Sequence, residues 1–176
     1  DSENVIPEVS INTGFESGTL DGWVYSGPVL PVVHCNASAP EGNCYAELST
    51  AGTAPWTSPN TISRNDLTMA NYGGCNNDNY KLTFWYKFTA GDYVPFNDNL
   101  RVNVLNENNV LLFTQSLDVA TVGNYGSSNW ISANVFLGQI PIGTSLSVKV
   151  SAVTTNVLDS ALTSYGYVDG FKIVKV

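Results

Sequence analysis

Hydrophobic and polar residues alternate with a period of two along much of this chain. In a β-strand, successive side chains point to opposite faces, so the alternation predicts strands with one buried face. The clearest run is Lys81–Phe88, which places Leu82 and Phe84 on one side and Thr83 and Trp85 on the other. Further runs predict strands at Leu100–Val104, Trp130–Leu137, Leu146–Ser151 and Phe171–Val174, with shorter candidates at Val29–His34, Tyr45–Ser49 and Val110–Ser116.

Turn-forming clusters separate these runs. They are rich in Gly, Pro and Asn, as at Gly73-Gly74, Pro95–Asp98, Gly123-Asn124 and Pro141–Gly143. A helical period is not sustained, and the pattern predicts only one short helix, at Asn65–Tyr72. Many short strands separated by turns are typical of an all-β jelly-roll β-sandwich of two antiparallel sheets. We expect residues 1–176 to form a single domain of this kind.

The charge content narrows the classes of partner. Charged residues make up 12% of the chain and the formal net charge is −8. Nucleic acids and anionic membranes both select clustered Lys and Arg, so this balance argues against them. A neutral polar surface is common outside the cell and fits glycans, basic peptides or metal cations. No apolar run is long enough to span a membrane, and the start at Asp1 without a signal peptide suggests a mature secreted or cell-surface protein, or a module of a longer one.

Three cysteines leave the disulfide pairing open. Cys35 and Cys44 bracket a turn-rich stretch and could close a short loop, which would stabilise the fold by roughly 2–3 kcal/mol. Cys75 is then either buried or paired with one of the other two, because spacing alone does not fix the pairing.

Three stretches together resemble the carbohydrate-binding-module type of β-jelly roll. They are Asn12–Trp23 (N-T-G-F-E-S-G, then G-W), Tyr80–Phe88, and Tyr167–Ile173 with its D-G-F-K-I ending. A further pair, Gly91–Asp98 and Asp159–Leu162, resembles domains of large bacterial surface adhesins. The first resemblance implies a β-sandwich that binds glycans. The second implies an adhesin module that binds protein or peptide, or that serves as a spacer.

The resemblance also implies a structural calcium ion between the first and last strands. The matching positions are Glu16 and Asp169, with backbone carbonyls completing the shell. Calcium takes six to eight hard oxygen ligands, so carboxylates from distant parts of the chain can join the edge of the sandwich. The alternative is that both are solvated turn residues.

A second oxygen-rich loop could hold another calcium ion. It contains Asp92 and Asp98 together with Asn97 and Asn99, and we expect Asp159 to lie nearby in space. The alternative is local, because Asp and Asn favour loops by bonding their own backbone.

The sequence offers no convergent catalytic groups. His34 is the only histidine and lies in a predicted strand without a supporting motif, and the fifteen acidic residues are scattered, mostly in turns. A glycine loop followed by Lys is also absent. We therefore expect a protein that is not an enzyme.

Trp85 is the leading candidate for ligand binding. It occupies the polar side of a well-patterned strand, where its ring could stack on a sugar while polar neighbours bond the hydroxyls. Lys87, Arg101 and Asn103 would share that face if their strands are neighbours. Two loop residues, Trp56 and Tyr93, could also contact ligand, whereas Trp23 is expected in the core and Trp130 stays ambiguous. The alternative for Trp85 is packing beneath a loop or against a second layer.

Overall fold

A computed structural model describes residues 12–53, 58–68, 79–140, 144–154 and 162–176 of the chain. These residues form strands joined by turns, with one short helix. The strands are β1 (Val24–Ser26), β2 (Val32–Cys35), β3 (Cys44–Ser49), β4 (Asn60–Thr68), β5 (Tyr80–Thr89), β6 (Asn99–Leu105), β7 (Leu111–Asp118), β8 (Ile131–Gly138), β9 (Ser145–Val153) and β10 (Tyr165–Lys175), and the helix is α1 (Val119–Val122).

The strands form two five-stranded sheets whose pairings are all antiparallel. The first sheet has the order β1-β4-β9-β6-β7, and the second has the order β2-β3-β10-β5-β8. Both sheets contribute to one continuous hydrophobic core. This arrangement confirms the predicted jelly-roll β-sandwich of two antiparallel sheets. Within the described residues, no helix has the length and hydropathy needed to span a bilayer.

Alternation along the strands builds the core. In β5, every second side chain from Tyr80 onward is buried, as the sequence pattern predicts. Phe84 stacks on Phe171 of β10 at a centroid distance of 4.8 Å, and its edge meets Phe113 of the first sheet at 5.7 Å. Full burial of such a ring contributes about 2–3 kcal/mol, and the contact between Phe84 and Phe113 joins the two sheets.

The opening segment packs onto the last strand. The Asn12 amide donates to the carbonyls of Thr19 and Asp21, at 2.9 and 2.8 Å, which closes the segment into a compact loop. The Trp23 indole donates to the Asn12 carbonyl at 3.0 Å, and its ring lies 5.4 Å from that of Phe171. Trp23 is 5% exposed, which confirms its predicted place in the core.

The helical content differs from the prediction in two ways. Residues 65–68 belong to β4 rather than to a helix, and residues 69–72 lie outside the described ranges. The strand forms instead of a helix because Leu67 pairs with Leu146 of β9 and is fully buried there. A register shift between β4 and β9 follows Arg64. The helix α1 was not predicted. It is four residues long and begins where the Asp118 carboxylate accepts a hydrogen bond from the Thr121 amide at 2.7 Å.

Of the cysteine pairings that the sequence leaves open, the structure contains Cys35 with Cys44. The two residues lie directly opposite each other on β2 and β3, and a disulfide joins them. We call the segment that the crosslink closes, residues 36–43, the disulfide loop. Cys75 lies outside the described residues.

Candidate functional site

Aromatic side chains cluster on the outer face of the second sheet. Tyr45, Trp130 and Tyr167 meet edge to face, with centroid distances of 5.5 Å from Tyr45 to Trp130, 5.8 Å from Tyr45 to Tyr167 and 6.2 Å from Trp130 to Tyr167. Together with Ser38 and Lys87 they line a cleft of about 120 Å³. We call these five residues the aromatic cleft. All three rings are partly exposed, so a ligand can reach them.

Strand register brings these residues together. Tyr45 and Tyr167 occupy outward positions of β3 and β10, where the inward neighbours Ala46 and Val168 are buried. Tyr167 lies opposite Lys87 of β5, whose ammonium nitrogen is 5.8 Å from the Tyr167 ring centroid. The three strands therefore present two rings and one cation on a single surface.

The disulfide loop forms one wall of the aromatic cleft. The Trp130 indole N–H donates to the Ser38 carbonyl at 3.0 Å, which fixes the orientation of the ring. The loop is in turn attached at both ends, because Cys35 and Cys44 are crosslinked and the Asn36 amide donates to the Asn43 carbonyl at 2.8 Å. The cleft is thus formed before any ligand arrives, which lowers the entropic cost of binding.

Polar groups surround the rings. Burial, with the nearby charge of Glu47, raises the pKa of Tyr167 to about 12, so its hydroxyl is protonated at neutral pH and can donate. Next to it, the His34 ring lies 5.5 Å from Tyr45, and its Nε2 is 3.1 Å from a Glu47 carboxylate oxygen. Hydrogen-bond donors and acceptors therefore lie beside aromatic faces. The aromatic faces can pack on the C–H face of a sugar ring, and the polar groups can bond its hydroxyls.

Trp85 shares the outer face but is partly covered. It lies opposite Asp169 of β10 and Ser132 of β8. The backbone of Gly170 approaches so closely that a Cβ there would be 3.5 Å from Trp85 Cδ1 and 2.6 Å from a Glu41 carboxylate oxygen. The disulfide loop, through Glu41, therefore packs beside this ring. Trp85 is partly buried beside the disulfide loop, and its role in ligand binding stays a prediction.

The other ligand-binding candidates are dispersed. Arg101 and Asn103 belong to β6 of the first sheet, whereas Trp85 and Lys87 belong to β5 of the second. The four residues would share a face only if β5 and β6 were neighbours, and this condition is not met because the two strands lie in different sheets. Tyr93 is 40% exposed and contacts Phe96 and Tyr125 at the end of the sandwich. Trp56 lies outside the described residues.

Glu16 and Asp169 both contact the disulfide loop. The Glu16 carboxylate accepts hydrogen bonds from the Asn43 and Cys44 amides at 3.0 Å, and Asp169 Oδ2 accepts from the Glu41 amide at 3.3 Å. Asp169 is fully buried. Thus the opening segment and the last strand both contact the disulfide loop, and a calcium ion at Glu16 and Asp169 stays a prediction.

The second predicted metal loop lies at the opposite end of β3 and β10. Asp92 and Asp98 are both fully buried there. Asn97 has a different role, because its side chain bonds the Ala120 amide at 2.9 Å and the Asp118 carboxylate at 3.0 Å. Asp159 is outside the described residues. Across the ranges that the structure covers, no three His, Cys, Asp or Glu side chains converge as a metal-binding group, so any metal would need neutral oxygen ligands as well.

A larger cleft, of about 580 Å³, lies beside β1 and β2. Its exposed walls are mostly apolar, with Tyr25 53%, Leu30 59% and Val32 46% exposed. It has a single acidic side chain, Asp21, and no basic one. By size alone, this cleft would be the better candidate for a ligand-binding site. It lacks, however, the combination of aromatic faces and polar groups that the aromatic cleft provides.

Tyr45, Tyr167 and Trp130 were not predicted as site residues. Tyr45 and Tyr167 are 122 positions apart, and only the placement of β10 between β3 and β5 makes them neighbours. The sequence contained part of the information needed to find this site, because Tyr45 begins a predicted strand and Tyr167 belongs to the closing motif. The sheet order was needed to combine them.

The fold is similar to that of carbohydrate-binding modules of the β-sandwich superfamily. No protein-family model matches the chain, and no curated protein matches its sequence. Solved structures with a similar fold include a carbohydrate-binding module of the β-sandwich superfamily and domains of enzymes.

Three of these structures illustrate the likeness. One, from a study of the promiscuous specificity of carbohydrate-binding modules of the β-sandwich superfamily, has a TM-score of 0.50 and 14% identity over 90% of this chain and 59% of that one. An exo-β-agarase matches with a TM-score of 0.55 and 9% identity over 93% of this chain. The enzymatically active domain of tailspike protein 4 from bacteriophage CBA120 matches with a TM-score of 0.52 and 9% identity over 94%. The chain spans only 24% and 21% of the last two proteins.

Proposed function

We propose that this protein is a non-catalytic, secreted or cell-surface module that binds glycans through the aromatic cleft. The observation that carries the proposal is the group of three partly exposed rings beside Lys87 and Ser38 on the outer face of one sheet. Sugar rings present C–H faces that pack on aromatic rings, while hydroxyls need donors and acceptors at the edge. The aromatic cleft supplies both.

The surroundings support an extracellular role. The Cys35–Cys44 disulfide is the kind of crosslink that persists in oxidising compartments. The net charge of −8 suits neutral glycans better than anionic polymers. Lys87 is the one basic residue that lines the cleft, so a hydroxyl or a single acidic group of the ligand can bond there.

We further propose a structural calcium ion at Glu16 and Asp169. Both carboxylates are directed at the disulfide loop, and nearby Thr13 has a fully buried Oγ1 that makes no hydrogen bond. The Thr13 carbonyl accepts from the Phe171 amide at 3.2 Å, which places Thr13 next to the closing motif. These oxygens fit the hard donors that calcium prefers. The ion would hold the disulfide loop, and with it Ser38, against the sandwich.

A glycan array tests the proposal. Labelled wild-type protein should bind a chemically related set of glycans. Trp130→Ala should lose that binding, because the ring and its bond to Ser38 form one side of the cleft. Phe136→Ala is the matched control, since Phe136 is an aromatic residue on the outer face of the same sheet, 68% exposed and away from the cleft. Equal binding by both variants would contradict the assignment of the site.

The array should be repeated in calcium and in EDTA. Binding that weakens in EDTA would support an ion that positions the disulfide loop. Binding that is unchanged in EDTA, with an unchanged melting temperature, would remove calcium from the proposal and leave the glycan site standing.

A protein- or peptide-binding adhesin module is the second candidate. The apolar cleft beside β1 and β2, with its exposed Tyr25 and Leu30, favours it, because such surfaces commonly contact other proteins. A blank array in both conditions would select this candidate. Leu30→Asp should then abolish binding to the partner, while Trp130→Ala should leave it intact.

A further inference from the structure

Two aspartates are buried together at one end of the sandwich. Asp92 follows β5 and Asp98 precedes β6, and neither has any exposed surface. Burial raises the pKa of Asp98, and the neighbouring charge of Asp92 raises it further, while hydrogen bonds from Ser164, Thr154 and Thr50 lower it. Two adjacent carboxylates away from water repel each other unless a proton or a cation lies between them.

The hydrogen bonds of this pair leave one oxygen of each carboxylate without a partner. Asp92 Oδ1 accepts from the Tyr93 amide at 2.7 Å, and Asp98 Oδ2 accepts from the hydroxyls of Ser164 at 2.8 Å and Thr50 at 3.2 Å. Asp92 Oδ2 and Asp98 Oδ1 are buried and make no hydrogen bond. An unpaired buried carboxylate oxygen is costly, and here each of two interacting carboxylates has one.

Three ion pairs within the described part of the chain are His34–Glu47, Arg64–Asp66 and Lys172–Glu41. None of these three pairs involves Asp92 or Asp98, so they do not neutralise the two carboxylates.

The surrounding backbone is held rigidly. The Tyr125 amide donates to the Asp92 carbonyl at 2.9 Å, and the Val119 amide donates to the Asp98 carbonyl at 3.2 Å. Gly91 donates to Ser164 Oγ at 3.0 Å and lies so close to Thr163 that a Cβ there would be 1.8 Å from its carbonyl oxygen. The two carboxylates thus belong to a fixed cradle formed by three chain segments, with hydroxyl oxygens already directed into it.

We propose that Asp92 and Asp98 bind a calcium ion, with Asp92 Oδ2 and Asp98 Oδ1 as its charged ligands. Water or neutral protein oxygens complete the shell, which calcium accepts because its coordination is irregular. The ion connects the β5–β6 segment to residues near Thr50 and Ser164, and so closes the end of the sandwich. It is independent of the proposed glycan site and of the Glu16–Asp169 calcium site.

Calcium binding to chelator-treated protein, measured by isothermal titration calorimetry, tests the proposal. Asp169→Asn should keep one bound calcium ion per chain, because the Asp92–Asp98 site does not involve Asp169. Asp92→Asn and Asp98→Asn, each made in the Asp169→Asn background, should lose that ion together with any calcium-dependent rise in melting temperature. Asp118→Asn is the matched control in the same background, since it changes an aspartate at the same end of the sandwich outside the pair, and it should keep the ion.

The outcomes separate the alternatives. If the Asp169→Asn protein binds no calcium, or if Asp92→Asn and Asp98→Asn bind as much as their parent, the proposal is overturned and the pair shares a proton instead. Asn is close in shape to Asp, so folding is expected to survive. If either double variant does not fold, the calcium stoichiometry of the Asp169→Asn protein alone decides.

Discussion

Breaking the Cys35–Cys44 crosslink should destabilise the protein by an amount that the loop length predicts. The cysteines are nine positions apart. For a loop of about 10 residues, the chain-entropy relation gives about 2.6 kcal/mol at 25 °C. In a chain of this length, a loss of that size lowers the melting temperature by roughly 5–10 °C. The perturbation is Cys35→Ser with Cys44→Ala. Because Cys44 is 4% exposed, its lost sulfur adds up to about 1 kcal/mol.

Urea unfolding followed by tryptophan fluorescence measures this loss. Cys75→Ser should be present in every variant, so that thiol exchange does not complicate the result. Chemically reduced protein is the control, because reduction removes the crosslink without changing side-chain volume, and it should lose about 2.6 kcal/mol. A loss below about 1 kcal/mol in both the variant and the reduced protein would refute the reasoning. It would mean that the hydrogen bonds of the disulfide loop to Glu16, Asp169 and Trp130 already hold the chain in place.

Other predictions concern charge, packing and pH. The Arg64 side chain is buried and pairs with Asp66 at 2.7 Å, while Asp66 is half exposed, so Asp66→Asn should cost about 1 kcal/mol at pH 7 in urea unfolding. The hydrogen bond from Arg64 lowers the pKa of Asp66, so the stabilisation by the Arg64–Asp66 pair is present above the unfolded pKa of about 3.9 and is lost as pH falls through the lower folded pKa. If Asp66→Asn still destabilised the protein at about pH 2, the ion pair would be disproved. Gly91→Ala should cost about 2 kcal/mol or more, because its Cβ would lie 1.8 Å from the Thr163 carbonyl, and a change in melting temperature of less than about 2 °C would contradict that packing. The pKa of Tyr167 is raised to about 12 in the folded protein, so its contribution to the free energy of unfolding is complete below pH 10 and is lost as pH rises through the folded value. The Tyr167→Phe variant should therefore lose less stability at alkaline pH than the wild type. Identical pH profiles of stability for the two proteins would show that Tyr167 is solvated.

Local alternation was sufficient to predict most of the strands. The pattern around Phe84 and Leu82 located β5, and the same reasoning located the cores of β3, β6, β8 and β9. Period-two burial depends only on neighbouring positions, so it can be inferred from the sequence directly. The helix predicted at Asn65–Tyr72 failed because the burial of Leu67 against β9, a tertiary contact, overrode the local preference.

The candidate site could be predicted only in part. The alternation placed Lys87 on the outward side of β5, but it could not separate Lys87 from Arg101 and Asn103, because the sequence does not show that β5 and β6 lie in different sheets. Long-range strand order is set by the whole core rather than by any local pattern. For the same reason, Tyr45 could not be assigned to the aromatic cleft in advance.

The central claim is that ligand binds on the outer face of the second sheet. Isothermal titration calorimetry with an array-positive oligosaccharide tests it most directly, comparing Tyr45→Ala with Arg101→Ala on the opposite sheet. We expect Tyr45→Ala to raise the dissociation constant by about tenfold or more and Arg101→Ala to leave it unchanged. Both variants should be as stable as the wild type to within about 1 kcal/mol. Loss of affinity in Arg101→Ala, with Tyr45→Ala binding normally, would place the site on the other sheet and contradict the account.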